Sequence, residues 1–270
     1  MLKYRLIPVI IFKKELVVQS FNFKRYLPIG NVKTAIEYFS TWDADEIVLL
    51  DIDATKDKRL PNTDIIKWAS KNCFIPITYG GGIHSIETIE SVLKAGADKI
   101  SINYIAQKNP NLIKEASKKF GRQCVVVSID VKKNNKGNYE VFNSNNKKTI
   151  KLHPKKWAEI VEKLGAGEIL LNSVDRDGSR KGYDIKLLKS ISKSVNIPII
   201  ATGGVGKVEH LAEGILKGCC QAVGASNIFQ HAEHSTILAK TYLKKKKIPI
   251  RLNSELNYDN YNFDHLGRPI

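Results

Sequence analysis

The sequence predicts an α/β fold, a single (β/α)8 TIM barrel built as two related halves. Three observations carry that expectation. Short apolar, β-rich runs alternate with amphipathic helical stretches, eight such runs occur, and the two halves of the series resemble each other in composition and spacing.

The series opens with Arg5 to Phe12, which is apolar to its end. A helical stretch, Val32 to Thr41, leads to the second run, Ile47 to Asp51. The third run is Phe74 to Thr78, followed by the helix Ser85 to Ala95; the fourth is Lys99 to Ile102, followed by Asn111 to Lys119. Cys124 to Asp130 begins the second half and ends in a carboxylate. Trp157 to Leu164 connects it to Glu168 to Asn172, Ile185 to Ser192 connects that to Ile197 to Thr202, and Val208 to Lys217 precedes Ala222 to Ala225. The helical stretches place apolar residues at i, i+3 and i+4, whereas the strand runs are apolar almost without interruption. Such strands belong in a parallel sheet covered by helices.

The repeat is specific in its details. Ile75-Pro76-Ile77-Thr78-Tyr79-Gly80-Gly81-Gly82 mirrors Ile197-Pro198-Ile199-Ile200-Ala201-Thr202-Gly203-Gly204, Leu49-Leu50-Asp51 mirrors Leu170-Leu171-Asn172, and Gly96-Ala97-Asp98 falls opposite Gly218-Cys219-Cys220. No Pro/Gly/Ser-rich linker divides the chain. Residues 1–253 form the barrel and 254–270 a C-terminal extension, whose Tyr258, Tyr261 and Phe263 either pack on the barrel or dock a partner, and whose polar content also permits disorder.

Composition narrows the function classes. At 270 residues with 43% hydrophobic content the chain can bury a sizeable core. Its net charge of +16 is spread over short lysine runs at helix ends and loops, without aromatic interleaving or a nucleic-acid motif, so nucleic acid is not the expected partner. Met1 to Phe12 is too short for a signal peptide and no apolar run approaches the roughly 18 residues of a membrane span, so a cytoplasmic location and no membrane partner are expected. Cys73, Cys124, Cys219 and Cys220 have neither disulfide nor zinc spacing. His84, His153, His210, His231, His234 and His265 show no ligand spacing either, so no metal and no cofactor are expected.

Glycine loops give the first positive sign of a ligand. A glycine turn between a strand and a helix lets backbone N–H groups approach an anion, and the helix N-terminus adds a favourable dipole. Gly81 and Gly82 make one such loop; Gly203, Gly204, Ala225 and Ser226 lie in the loops after the seventh and eighth strands, where barrels frequently hold phosphate. Tight turns alone would also explain a lone glycine pair. Two symmetry-related loops favour a ligand with a phosphate at each end.

These segments together resemble the cyclase subunit of imidazole glycerol phosphate synthase. The likeness spans residues 1 to 253 through Leu49-Leu50-Asp51-Ile52, Gly80-Gly81-Gly82-Ile83-His84, Gly96 to Asn103, Gly165 to Leu171, Asp175-Arg176-Asp177-Gly178 and Gly203-Gly204. The resemblance implies a bis-phosphorylated substrate, a glutaminase partner in a heterodimer, and ammonia that crosses the barrel to its C-terminal face. It implies phosphate contacts from Gly81 and Gly82 with Asn103, and from Gly203 and Gly204 with Ala225 and Ser226. Asp177 either helps hold substrate or makes an Asp-Gly turn, and Asp51 either faces the pocket or caps a loop.

Family members of this kind use two aspartates, at the ends of the first and fifth strands, for proton transfer on opposite sides of the substrate. Asp130 matches the second. Ile11 stands in place of the first, and Gln19 in place of a lysine on the following loop. At the opposite end the family's ring of charges at the ammonia entrance maps onto Arg5, Glu46, Lys99 and Glu168, all of matching sign, and Asp98 matches a residue at the glutaminase interface. A structural plug is the alternative for the four charges. The pattern agrees with paralogues that supply ammonia to a separate sugar amidotransferase for surface-sugar amidination, with an authentic histidine-pathway cyclase, or with a basic scaffold for acidic partners.

Overall fold

The computed structural model describes residues 3–230 and 236–252. The proposed extension 254–270 lies outside the described residues, as do His231 and His234. The strands are β1 Arg5–Lys13, β2 Leu16–Phe21, β3 Arg25–Asn31, β4 Ile47–Asp51, β5 Ile77–Gly80, β6 Lys99–Ile102, β7 Val125–Lys133, β8 Tyr139–Asn143, β9 Lys148–Thr149, β10 Glu168–Ser173, β11 Ile199–Thr202 and β12 Ala222–Ala225. The helices are α1 Val32–Thr41, α2 Thr63–Asn72, α3 Ile86–Lys94, α4 Tyr104–Lys108, α5 Asn111–Phe120, α6 Pro154–Leu164, α7 Ile185–Ser192, α8 Val208–Leu216 and α9 Thr236–Lys245.

Eight parallel strands close into the barrel in the order β1, β4, β5, β6, β7, β10, β11, β12, with β12 returning to β1. The two-fold repeat persists in detail. Asn62 and Asp184 cap α2 and α7 with the same dihedrals, φ −78 and ψ 84, and each side chain accepts an N–H of its helix's first turn.

The third and seventh barrel strands start later than the apolar runs suggest. Pro76 and Pro198 have no N–H to donate, so each contributes only a carbonyl, which accepts from Ile47 at 2.9 Å and from Ile169 at 3.0 Å. Ladder pairing begins after them, at Ile77 and Ile199. Phe74, ahead of Pro76, is left 92% exposed. Cys124 belongs to a short 3-10 turn that precedes β7.

Two hairpins are the main addition to the expected plan. β1 continues beyond the barrel to Lys13 and pairs antiparallel with β2, which pairs with β3; in the other half β7 continues to Lys133 and pairs antiparallel with β8. The first and fifth barrel strands therefore both run on into a hairpin over the C-terminal face.

The barrel interior holds an apolar layer of Ile7, Val9, Val48, Val126, Leu170, Ile200 and Ala222, with Ile11 and Leu50 packed on it from above. Alternation along β1 points Arg5, Ile7, Val9, Ile11 and Lys13 inward, while Leu6, Ile10 and Phe12 join the larger core beneath the helices. Near the chain's end, α9 is tied down by Lys240, 1% exposed, whose ammonium meets Asp45 at 2.9 Å and Asp43 at 3.2 Å. Asp45 also accepts from the Leu6 N–H at 2.7 Å, so one buried carboxylate links β1 and α9.

Candidate active site at the C-terminal face

A cavity of about 390 Å³ opens at the C-terminal ends of the barrel strands, within the size range of small-molecule sites. Its floor is formed by Ile11 on β1 and Asp130 on β7, the first and fifth barrel strands, which face each other across the barrel. Asp130 is buried and accepts a 2.7 Å hydrogen bond from Asn103 Nδ2. Burial pushes its carboxyl up to about 7, against the pull of the Asn103 and Asn172 amides and with a further push from Asp177. Asn172 is the register partner of Asp130, and its Oδ1 is buried without a hydrogen-bond partner among the described residues.

Of the residues singled out for phosphate, Gly81, Asn103, Asp177, Gly203, Gly204, Ala225 and Ser226 all line this cavity. Gly81 and Gly203 are required as glycines twice over. Both have positive φ, 118 and 88, and an added Cβ would lie 2.3 Å from the Asp51 carbonyl oxygen or 2.4 Å from Asn172 Oδ1. Gly82, on the same loop as Gly81, is buried and does not line the cavity, and its N–H donates to Thr55 Oγ1 at 3.2 Å. The Asn103 side chain also serves another purpose, bridging Asp130 and Gln107, whose Nε2 donates to its Oδ1 at 2.9 Å.

Asp177 holds the roof. Its carboxylate accepts from Ser20 Oγ at 2.6 Å and from the Phe23 N–H at 3.2 Å, and its carbonyl accepts from the Asn22 N–H at 3.1 Å. Asn227 clamps the same hairpin, donating to the Ser20 carbonyl at 3.0 Å and accepting from the Ser20 N–H at 3.3 Å. Gly178 permits the contact, since an added Cβ would sit 2.5 Å from the Ser20 carbonyl oxygen. At its tip Phe23 meets Phe142 of the other hairpin edge-on, centroids 6.3 Å apart, so the two hairpins roof the cavity together. Asp51 lines the cavity while bound on two oxygens by Arg59 at 3.0 and 3.1 Å, and it also accepts from the Ala54 N–H, so the pocket and loop readings of this residue both hold.

Several lining residues were not singled out from the sequence. Lys13, Lys24, Lys56, Lys147 and Arg180 bring five cations to the cavity, from five separate segments. Gln19, by contrast, is buried within β2 and does not line it.

At the other end of the barrel Arg5, Glu46, Lys99 and Glu168 form a closed ring of alternating charge. Arg5 pairs with Glu46 at 3.0 Å and with Glu168; Lys99 bridges the same two carboxylates at 2.8 and 3.1 Å. Thr78 Oγ1 donates to Glu46 at 2.6 Å. Each carboxylate thus touches both cations, which satisfies the buried charges mutually. Asp98 is exposed beside this ring and accepts from the Ile77 N–H at 2.8 Å. Among the described residues no group of three or more His, Cys, Asp or Glu is placed to hold a metal ion, and no helix is long and apolar enough to cross a membrane.

With this geometry in place, residues 5–235 match the model of a family described as histidine biosynthesis protein. A Vibrio vulnificus (strain YJ016) protein named "Putative imidazole glycerol phosphate synthase subunit hisF2" is 55% identical over 270 residues, covering 100% of this chain and 98% of that protein. The imidazole glycerol phosphate synthase subunit HisF of Clostridium botulinum (strain 657 / Type Ba4) is 43% identical over 253 residues, covering 93% of this chain and 100% of that protein.

Proposed function

Since the chain belongs to the histidine biosynthesis protein family and is a HisF-like cyclase subunit, we propose that it receives ammonia from a glutaminase and binds a bis-phosphorylated ligand, with the usual ring closure impaired. One observation carries the reading: the floor of the cavity sets Asp130 opposite Ile11, while the charge ring at the far end is complete. Imine formation needs a proton delivered and ring closure needs one removed. A single carboxyl held near pH 7 can serve one side of a substrate, and a hydrocarbon can serve neither role.

The two ends of the barrel have different requirements under this reading. Arg5, Glu46, Lys99 and Glu168 border a narrow mouth suited to a small neutral molecule such as ammonia, and Asp98 stands beside it for a glutaminase in a heterodimer. At the C-terminal face, the loops of Gly81 and of Gly203, Gly204, Ala225 and Ser226 offer backbone donors to two phosphates, with five cations around them. Ammonia delivered here serves a separate sugar amidotransferase that builds amidines on surface sugars. The name hisF2 of the Vibrio relative agrees with a second copy of a HisF-type subunit.

The test supplies the family's bis-phosphorylated substrate with concentrated ammonium salt and follows imidazole glycerol phosphate. Loss of one general acid or base typically costs about 10²–10⁴-fold, so the wild type should turn over slower by that factor than an ordinary HisF. The Ile11→Asp variant should regain part of the rate, with Gln19, which is buried in β2 away from the cavity, left unchanged. Wild-type turnover at the ordinary level makes the chain an authentic cyclase of histidine biosynthesis. Binding of acidic proteins that is indifferent to changes in the glycine loops would instead indicate a scaffold.

A further inference from the structure

The side of the cavity that lacks a carboxylate holds another polar group. Along the seven residues of β3 a single side chain, Tyr26, is not exposed, and it lines the cavity. Its cross-strand partner Ser20 faces the same way and is fixed on Asp177. Lys13, two residues beyond Ile11 on β1, lies over the Tyr26 ring at 4.8 Å from its centroid. Thus β1 brings Ile11 and Lys13 to one wall, and the hairpin folded from that strand places a phenol above them, across the barrel from Asp130.

Resting on the phosphorylated-ligand reading, we infer that Tyr26 is a ligand-contacting residue, presenting its hydroxyl as a hydrogen-bond donor to an oxygen of a sugar phosphate on the β1 side of the cavity. Burial, joined by the charges of Asp177, Asp130 and Asp53 and opposed by Ser20, raises the phenol to about 12. At any physiological pH the group is a neutral donor. It polarises and orients a phosphate or carbonyl oxygen and keeps its own proton, so it does not replace a general base. Lys13, held at 3.4 Å by Asp53, supplies positive charge to the same wall. The site therefore pairs a titrating carboxyl on β7 with a fixed donor on the β1 hairpin, an arrangement suited to gripping a sugar phosphate and poor at shuttling protons on both of its sides.

The experiment compares the full-length wild type with Tyr26→Phe, which keeps the ring and the hairpin, using ribulose 1,5-bisphosphate and inorganic phosphate as probes. Calorimetry gives affinity, and a ring-labelled tyrosine NMR signal, assigned by its loss in the variant, reports contact directly. The proposal expects the bisphosphate to shift the Tyr26 signal and Tyr26→Phe to bind it about three- to tenfold more weakly, the range for one neutral hydrogen bond. If wild type and variant bind equally and the Tyr26 signal is unmoved, the residue only closes the hairpin, the inference is wrong, and the phosphate reading stands. If neither probe binds the wild type at all, the phosphate reading fails and takes this inference with it. Where the variant's hairpin is loosened, Tyr26→Trp, which restores a ring donor, should recover affinity; failure to recover it while fold and melting are normal also overturns the proposal.

Discussion

Replacing Asp130 by Asn should stabilise the fold above neutral pH, and by an amount that depends on pH. The wild-type carboxyl sits near 7 instead of its ordinary 3.8, chiefly because burial disfavours its charged form. An unfolded chain releases this proton near pH 4, whereas the folded chain holds it until about pH 7. Between those values the unfolded state binds fewer protons, so wild-type stability falls as pH rises, by about 1.4 kcal/mol per unit. Below pH 4 both states are protonated and the penalty vanishes. Above pH 7 it is complete, at about 4 kcal/mol as an order of magnitude. The amide of the variant titrates in neither state, and its carbonyl can still accept the Asn103 amide. Urea denaturation of both proteins at pH 5 and pH 8.5 measures the difference, which should move in favour of the variant by about 2–3 kcal/mol over that interval. A gap between the two that stays constant with pH, or one that moves toward the wild type, would show that Asp130 is ionised in the folded protein and that the cavity floor is not as dry as its burial implies.

Three further outcomes follow from the same coordinates. Lys240→Met leaves Asp45 buried without its cation and should cost about 3–5 kcal/mol by chemical denaturation, whereas an exposed ion pair such as Lys217 with Glu213 should cost under about 1 kcal/mol when broken. Gly203→Ala forces a Cβ onto Asn172 at a positive φ and should lower stability by about 1–3 kcal/mol while weakening phosphate binding, read by thermal melting with and without phosphate. Under the proposed function, Phe74→Asp should weaken association with a glutaminase about tenfold or more in sedimentation, because a large aromatic exposed on the connection from α2 to β5 suits an interface anchor.

The barrel was legible because its signals are local. Apolar runs, amphipathic spacing and glycine turns each involve residues within one strand–helix unit, and eight repetitions reinforce each other. The third and seventh strands were misplaced by a few residues because apolar character continues through Ile75-Pro76 and Ile197-Pro198, although a proline cannot donate to the ladder. The hairpins were missed for a different reason. The pairing of Leu16 to Phe21 with β1 and β3 is local, but what seats the hairpin over the cavity is distant: Ser20 meets Asp177, 157 residues away, and Asn227, 207 away. The bonds of Gly82 to Thr55 and of Asn103 to Asp130 were likewise not legible, since the partner comes from another barrel unit in each case. Tyr26 gave no signal at all in the sequence. Its neighbours on β3 are exposed, and only the hairpin's seating turns it toward the cavity.

The continuity of β1 and β7 with the hairpins makes each half of the site a lever. In β1 the cavity-lining Ile11 lies two residues before the end of the strand, and in β7 Asp130 lies three before its end. A hairpin that lifts to admit ligand therefore pulls on the strand end that carries the residue beneath it. Access and alignment are then one movement, with Asp177 and Asn227 as its latch. Opening the β1 arm releases Asp177 from Ser20 and from the Phe23 N–H, and moving the β7 arm strains the bond between Asp130 and Asn103. The two halves, alike in fold, thus tie the seating of each hairpin to a different buried aspartate.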